Sequence, residues 1–140
     1  MNQHPLATAR HPLAGLMDSF FADTLPEAFP GATAPATDIA ETATTLVLSL
    51  ELPGIAEQDV TIEIHDRNLK ISAERKLADQ PEGLRWHRRE QRFGKRARTI
   101  VLPETANCAS VDAKLEHGVL TITVQKHEKP QPVRVPIRAT

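Results

Sequence analysis

Short runs in which apolar and polar residues alternate recur through the middle of this chain, and they constrain its fold more than any other feature. The first run, in TLVLSLELPG, places Leu46, Leu48 and Leu50 on one face and ends at the turn signal Pro53-Gly54. A period of two is typical of a strand that is buried on one side. Several such strands bury their apolar sides when two sheets pack face to face.

Two stretches predict β-hairpins, because each contains two alternating runs that are joined by turn residues. The turn of the first hairpin is Asp66-Arg67-Asn68, and the turn of the second is His117-Gly118. The run RTIVLPE predicts a further short strand that a proline closes. The apolar positions are Val60, Ile62, Ile64, Leu69, Ile71 and Ala73 in the first hairpin, and Val111, Ala113, Leu115, Leu120, Ile122 and Val124 in the second.

The chain of 140 residues divides into three parts, and the middle part carries these strands. We predict an N-terminal arm over residues 1–37, a β-sandwich domain over residues 38–126 and an extended C-terminal tail over residues 127–140. The predicted fold class is all-β, an immunoglobulin-like antiparallel sandwich. Apolar residues make up 40% of the chain and charged residues 25%, which is typical of a chain that packs a core.

The arm is predicted to be partly helical and partly disordered, with one short amphipathic helix between Pro12 and Pro26. A helix this short is unstable alone in water, so its apolar stripe packs against its own domain, a partner subunit or another protein. We favour variable intermolecular contact, because Met and Phe side chains suit adaptable surfaces. The stripe consists of Leu13, Leu16, Met17, Phe20 and Phe21, which recur at helical spacing.

Basic residues crowd the chain between positions 85 and 98, where only Glu90 opposes them locally. The neighbouring Trp86 and Phe93 permit binding of single-stranded nucleic acid, through phosphate contacts and base stacking. We favour the alternative, a strand whose charges pair with acidic residues on a neighbouring strand or subunit. The basic residues are Arg85, Arg88, Arg89, Arg92, Lys95, Arg96 and Arg98, and the available acidic partners are Glu51, Glu57, Asp59, Glu63 and Glu74.

No motif in the sequence indicates an enzyme, a metal site or a cofactor site. There is no Gly-x-Ser-x-Gly, no phosphate-binding glycine-rich loop and no dinucleotide fingerprint. Cys108 is the single cysteine, and we predict a small, partly buried residue in a reducing compartment. With no signal peptide or apolar span, we expect a cytoplasmic protein. The histidines, at His4, His11, His65, His87, His117 and His127, lack metal-ligand spacing.

The chain finishes with an alternating segment behind a proline-bearing stretch, in KPQPVRVPIRAT. Val133, Val135 and Ile137 lie on one side of this segment if it is extended. Pro136 lacks a backbone donor, so the segment does not fit the middle of a sheet.

Three stretches of the sequence resemble the small heat-shock protein (alpha-crystallin) family of the bacterial and plant type. They are ELPGIAEQDVTIEIHDRNLKISAERK, EQRFGKRARTIVLPETANCASVDAKLEHGVLTITVQK and the terminal VPI. The most specific part of the resemblance comprises Ala113, Leu115, Gly118, Val119 and Leu120.

The resemblance implies an ATP-independent holdase that binds unfolding proteins and prevents their aggregation under stress. It implies a dimer formed by an exchanged loop strand around Leu84, Arg85 and Trp86, which the loop of residues 77–83 reaches. It also implies an interface or core ion-pair role for Arg98.

The same resemblance implies larger homo-oligomers, in which Val133, Val135 and Ile137 anchor one subunit to the next by β-augmentation. The expected partners are therefore unfolded proteins and further copies of the chain, with no nucleic acid, membrane or cofactor. The stripe Leu13–Phe21 is the first candidate for client binding, and the groove that the tail vacates is the second. The alternative function is a structural or adaptor β-sandwich of a co-chaperone.

Overall fold

The computed structural model describes residues 31–128 and 131–140, and over these ranges it contains β-strands and one short 3-10 helix. The strands are β1 (Thr37–Glu41), β2 (Thr45–Glu51), β3 (Val60–His65), β4 (Asn68–Arg75), β5 (Gly94–Val101), β6 (Ala106–Glu116) and β7 (Val119–Lys126), and the 3-10 helix Glu57–Asp59 precedes β3.

The strands form two antiparallel sheets, which confirms the predicted all-β sandwich. The four-stranded sheet has the order β1-β2-β7-β6, and the three-stranded sheet has the order β3-β4-β5. The predicted helix of the arm lies outside the described residues.

The core lies between the two sheets and begins with the leucines of β2. Leu46, Leu48 and Leu50 are fully buried, and in the pairing of β2 with β7 they lie opposite Val124, Ile122 and Leu120. Leu69 and Ile71 of β4 supply the facing layer. Because partners in antiparallel strands share a face, the predicted alternation places all of these side chains in one interior.

Both predicted hairpin turns are confirmed. The turn between β3 and β4 has Asp66 at φ 55°, and the turn between β6 and β7 has His117 at φ 52° and Gly118 at φ 75°. The two consecutive positive φ values at His117 and Gly118 characterise the tight turn whose twist matches that of paired strands.

The path of the chain into β1 shows which edges of the two sheets lie on the same side of the sandwich. Thr33 forms a parallel bridge to Arg96 of β5, and β1 begins at Thr37. Four residues span at most about 14 Å, at roughly 3.5 Å per residue. The β1 and β5 edges therefore share one side, and the β3 and β6 edges share the other.

The strand predicted for the basic run is present only at the C-terminal end of the run, in β5. Residues 76–93 form no strand, and the strand that follows them, β5, begins only at Gly94. A strand needs a neighbouring strand to pair with. β4 ends at Arg75, which is paired with Gly94, so the described residues offer no neighbouring strand for residues 85–93.

Gly54 illustrates how a turn glycine accommodates a long-range contact. It has φ 70°, and a Cβ built on it would lie 2.7 Å from Nε of Arg75. Gly83 has φ 80°, with nothing within 4 Å of the corresponding position.

We expect Gly54→Ala to lower the free energy of unfolding more than Gly83→Ala does. Both substitutions introduce left-handed strain of about 1–2 kcal/mol, whereas only the first displaces the Arg75 side chain. Urea denaturation followed by circular dichroism measures the difference. Equal losses for the two variants would show that the contact with Arg75 carries no free energy.

Candidate interaction surfaces

The C-terminal tail exposes its apolar residues almost completely. Val133, Val135 and Ile137 are 86%, 79% and 97% exposed, and residues 131–140 have no regular structure. Three large aliphatic side chains in so short a segment are unusual on a surface that binds nothing. The tail therefore presents a row of apolar side chains with no packing partner within the described chain.

The β3–β6 side of the sandwich is a partly open apolar groove. We define the β3–β6 groove by Val60, Ile62 and Ile64 of β3, together with Val111 and Leu115 of β6. All five residues pack against the core and remain only half-buried. They belong to the outermost strands of the two sheets, so their outer sides are left for another segment to cover.

Ala113 leaves a gap in the wall of the β3–β6 groove. It lies opposite the buried Ile122, so it is on the core-facing side of β6, yet it is exposed. Its neighbours on that side, Val111 and Leu115, have larger side chains. The short Ala113 side chain therefore leaves space for an apolar side chain from elsewhere.

The loop before β5 exposes the residues predicted to form a dimer interface. Leu84 and Trp86 are 44% and 48% exposed, and Arg85 is also exposed. The guanidinium of Arg89 stacks on the Trp86 ring, 4.7 Å from its centroid. The large apolar side chains of Leu84 and Trp86, and the Arg89 guanidinium stacked on Trp86, are thus exposed to solvent in the single chain.

Arg98, the fourth predicted interface residue, lies on β5 rather than in the loop. It is opposite Ile71, a core residue, and it is half-buried. Its side chain therefore leaves the core-facing side of β5, near the β1–β5 side of the sandwich. The structure does not bring Arg98 into the exposed segment that contains Leu84 and Trp86.

Arg75, at the end of β4, holds the C-terminal end of the loop. It donates hydrogen bonds to Oε1 of Gln91 at 3.1 Å and to the carbonyl of Arg92 at 3.4 Å. Its guanidinium also lies 4.7 Å from the centroid of the Phe93 ring. These contacts close the loop onto the sandwich just before β5.

Of the acidic residues predicted to balance the basic run, Glu74 lies opposite a residue of the run, whereas Asp59 pairs outside it. Asp59 pairs with Lys76, outside the run, at 2.8 Å. The hydrogen bond and the charge of Asp59 raise the pKa of Lys76 above its usual value. Glu74 lies opposite Lys95 across β4 and β5, and Arg88 pairs with Glu90 inside the run.

Among the described residues, no group of three or more His, Cys, Asp or Glu side chains could hold a metal ion. None of their helices is long and apolar enough to cross a bilayer. Cys108 is half-buried on β6, as predicted. The stripe Leu13–Phe21, which was predicted to bind client proteins, lies outside the described residues.

Sequence patterns alone did not identify several of these positions. Arg75 and Gly54 are far apart in sequence, and no local pattern links them. The groove residues of β3 were predicted as core positions. No signal in the sequence marks them as partly exposed, because their exposure depends on the position of β3 at the edge of its sheet.

Comparisons with known proteins identify the family and the fold of this chain. A model of the Hsp20/alpha crystallin family matches residues 38–138. The 17.1 kDa class II heat shock protein of Pisum sativum is 39% identical over 96 residues, which are 68% of this chain and 63% of the relative. The 17.8 kDa class I heat shock protein of Solanum lycopersicum is 41% identical over 96 residues, 68% and 62% of the two chains. The chain thus spans less than two thirds of the length of these curated relatives.

Solved structures show the same fold. A small heat-shock protein of Xylella fastidiosa, described as having a distinct high order structure, is 31% identical, with a TM-score of 0.67 over 76% of this chain and 97% of that chain. Heat shock protein 16.0 of Schizosaccharomyces pombe is 29% identical, with a TM-score of 0.66 over 90% and 92% of the two chains.

Arg75→Ala should make the loop more accessible, because Gln91, Arg92 and Phe93 lose their contacts with the guanidinium. We expect trypsin to cleave between Arg85 and Arg92 several-fold faster, with mass spectrometry identifying the cuts. Arg67→Ala is the matched control, since Arg67 is an exposed arginine that pairs with Glu104 away from the loop. Equal cleavage of the two variants would show that the Arg75 contacts do not hold the loop against the sandwich.

Proposed function

The chain belongs to the Hsp20/alpha crystallin family of small heat-shock proteins, which are chaperones, and we propose that it acts as an ATP-independent holdase. In this proposal it binds unfolding proteins under stress, and its dimers assemble into larger homo-oligomers. The proposal rests on one observation: the same chain carries an almost fully exposed apolar tail and a half-open apolar groove. The predicted division at residues 37 and 126 is part of the proposal.

The tail of one subunit binds the β3–β6 groove of another. Extended backbone from the tail adds to an outer strand, and Val135 and Ile137 enter the groove, one of them above Ala113. Burying two such side chains contributes roughly 3–6 kcal/mol, at about 1.5–3 kcal/mol each. Ordering the tail offsets part of this gain, so the contact is reversible.

The dimer uses the loop and the edge of β1. The sandwich has four outer strand edges, and the bridge at Thr33 already occupies part of the β5 edge. With the tail assigned to the β3–β6 side, the β1 edge is left for the exchanged segment around Leu84, Arg85 and Trp86. Arg98 lies on the same side of the sandwich as β1, where it fits the predicted interface role.

Client capture requires apolar surface that becomes available when the assembly loosens. The first candidate is the stripe Leu13–Phe21, and the second is the β3–β6 groove after the tail leaves it. Because assembly depends on concentration, heating that favours smaller species also favours exposure of these surfaces. No bound cofactor takes part in this mechanism.

Light scattering of a heat-unfolding enzyme, with no nucleotide present, tests the holdase directly. We expect suppression of aggregation near one subunit per client molecule. Bovine serum albumin at equal mass is the control for non-specific protection. Unchanged scattering after prior warming of the chaperone would overturn the proposal and favour the adaptor function.

Val135→Ala combined with Ile137→Ala should reduce the native mass towards that of a dimer, because the groove loses its two apolar ligands. Arg134→Ala combined with Arg138→Ala is the control, since it changes the same tail without changing those ligands. Ala113→Phe should act like the first variant by filling the gap from the other side. Native mass spectrometry reports the sizes, and an unaltered assembly in both apolar variants would exclude the tail as an anchor.

Leu84→Ala should weaken the dimer, whereas Leu77→Ala should not, although the two leucines are similarly exposed in the same loop. Loss of about 1.5–3 kcal/mol of burial corresponds to a dissociation constant roughly 10- to 100-fold higher. Trp86, the only tryptophan, reports dissociation through its fluorescence on dilution. Identical dilution curves for the two variants would place the interface elsewhere.

A further inference from the structure

Residues 85–93, which we name the arginine loop, carry a positive charge that the described residues do not neutralise. Arg88 pairs with Glu90, the only acidic residue of the loop, at 3.5 Å. The two side chains are 80% and 75% exposed, so water screens this pair. The whole chain has a net charge of only −1, so the positive charge is a local property of the loop. Its basic residues are Arg85, Arg88, Arg89 and Arg92, with His87 between them.

The acidic residues that were expected to balance these charges do not reach the loop. Within the described residues, no carboxylate outside the loop forms an ion pair with any of its arginines. Asp59 pairs with Lys76 instead, and Glu74 lies opposite Lys95 of β5. Internal ion pairing, which had been favoured over nucleic-acid binding for the basic run, is therefore missing from the loop.

Aromatic rings and guanidinium groups share one cavity in the arginine loop. The cavity has a volume of about 310 Å³, near the lower end of the range for small-molecule pockets. The Arg89 guanidinium lies 4.7 Å from the centroid of the Trp86 ring, and Trp86 is still 48% exposed. A planar ring can therefore stack on Trp86 next to a cation. The lining residues are Trp86, Arg88, Arg89, Glu90, Gln91 and Phe93.

The sandwich holds one wall of this cavity in place. Arg75 and Arg96 both donate to the carbonyl of Arg92, at 3.4 Å and 3.2 Å. The Arg75 guanidinium also lies 4.7 Å from the centroid of the Phe93 ring. These contacts position the Arg92 backbone and the Phe93 ring before any ligand arrives, which lowers the entropy cost of binding.

We propose that the arginine loop binds single-stranded nucleic acid, with a base stacked on Trp86 and phosphates bound by Arg85, Arg89 and Arg92. A guanidinium binds phosphate through two parallel hydrogen bonds and also stacks on rings, which a lysine ammonium does not do. Basic residues interleaved with aromatic rings bind single strands without sequence preference. The proposal replaces the expectation that the chain has no nucleic-acid partner.

A membrane surface and a duplex fit the arginine loop less well than a single strand does. Residues 85–93 form no helix, and Trp86 is their only exposed large apolar side chain, so the loop has no apolar face to insert into lipid. A duplex buries the faces of its bases in its own stack, so it offers phosphates to the arginines but no base to Trp86.

The inference rests on the proposed function, because the exchanged segment of the dimer includes the same loop. A partner subunit and a nucleic acid then compete for Arg85 and Trp86, so the nucleic acid binds the dissociated chain. Dilution and heating, which favour smaller species, therefore make the loop available.

Trp86 reports binding directly, because it is the only tryptophan of the chain. Dilute full-length protein is titrated with oligouridine and oligothymidine of about 12 nucleotides, and with a DNA duplex of equal length. We expect both single strands to quench the fluorescence and to bind at least about tenfold tighter than the duplex. The logarithm of the binding constant should fall against that of salt with a slope of about −2, at roughly 0.7 for each of three phosphates. Absence of quenching by either strand, or equal binding of the duplex, overturns the proposal.

Two double variants that lose the same charge locate the site. Arg89→Ala with Arg92→Ala should weaken oligouridine binding about tenfold or more, whereas Arg134→Ala with Arg138→Ala in the tail should change it less than about twofold. Trp86→Leu should weaken it about fivefold or more, and Trp86→Phe should keep most of the affinity, because a ring remains for stacking. Equal losses in the two double variants, or tighter binding to anionic phospholipid vesicles than to oligouridine, overturn the proposal.

Leu84→Ala separates the nucleic-acid site from the proposed dimer. If the loop forms the dimer, this variant should bind oligouridine several-fold tighter than the unmodified protein, whereas Leu77→Ala should not. Unchanged affinity in Leu84→Ala, with quenching intact, supports the nucleic-acid site and contradicts the use of the loop in the dimer. Absence of quenching in an unmodified protein that still protects a heated client overturns the site and leaves the holdase in place.

Discussion

Burial of one face of each sheet against the other is the constraint on which the rest of this structure depends. The leucines of β2 and their partners on β7 are fully or almost fully buried, and β4 closes the interior with Leu69 and Ile71. Each of these residues comes from an inner strand. The edge strands β3 and β6 leave several of their core-facing residues only half-buried, among them Ile62 and Leu115. The sandwich therefore buries the core-facing residues of its inner strands and leaves part of its outer strands exposed.

The outer strands of the two sheets determine where the candidate interaction surfaces lie. The β3–β6 groove lies on one side, and the β1 edge, the bridge between Thr33 and Arg96, and Arg98 lie on the other. In our proposal the tail of a neighbouring subunit covers the first side and an exchanged loop covers the second. Both contacts use exposed segments on either side of a stable domain, so they form and release without unfolding of the core. This separation suits the proposed holdase, whose assembly we expect to loosen on heating.

Alternation and turn residues in the sequence predicted those features of the fold that depend on residues close together along the chain. The turns at Asp66 and His117-Gly118 and the buried leucines of β2 were all predicted, because period and turn chemistry are local properties. The exposure of Ala113 was not, since it depends on β6 being an outermost strand. Residues 85–93 were predicted to belong to a strand yet form none, because the described residues supply no neighbouring strand for them. Contacts such as Arg75 with Gln91 join distant segments, and no local pattern encodes them. The tail residues were predicted from the sequence as an anchor, and this stays a prediction, whereas the residues of their proposed groove could be named only from the order of the strands.

The central claim is that the tail and the β3–β6 groove are two halves of one contact between subunits. Hydrogen exchange of residues 60–65 and 131–140, measured by mass spectrometry over a range of protein concentrations, tests it most directly. Our account predicts that both segments gain protection together as the assembly forms and lose it together on dilution. Protection of the tail without β3, or constant exchange in both at all concentrations, would contradict it.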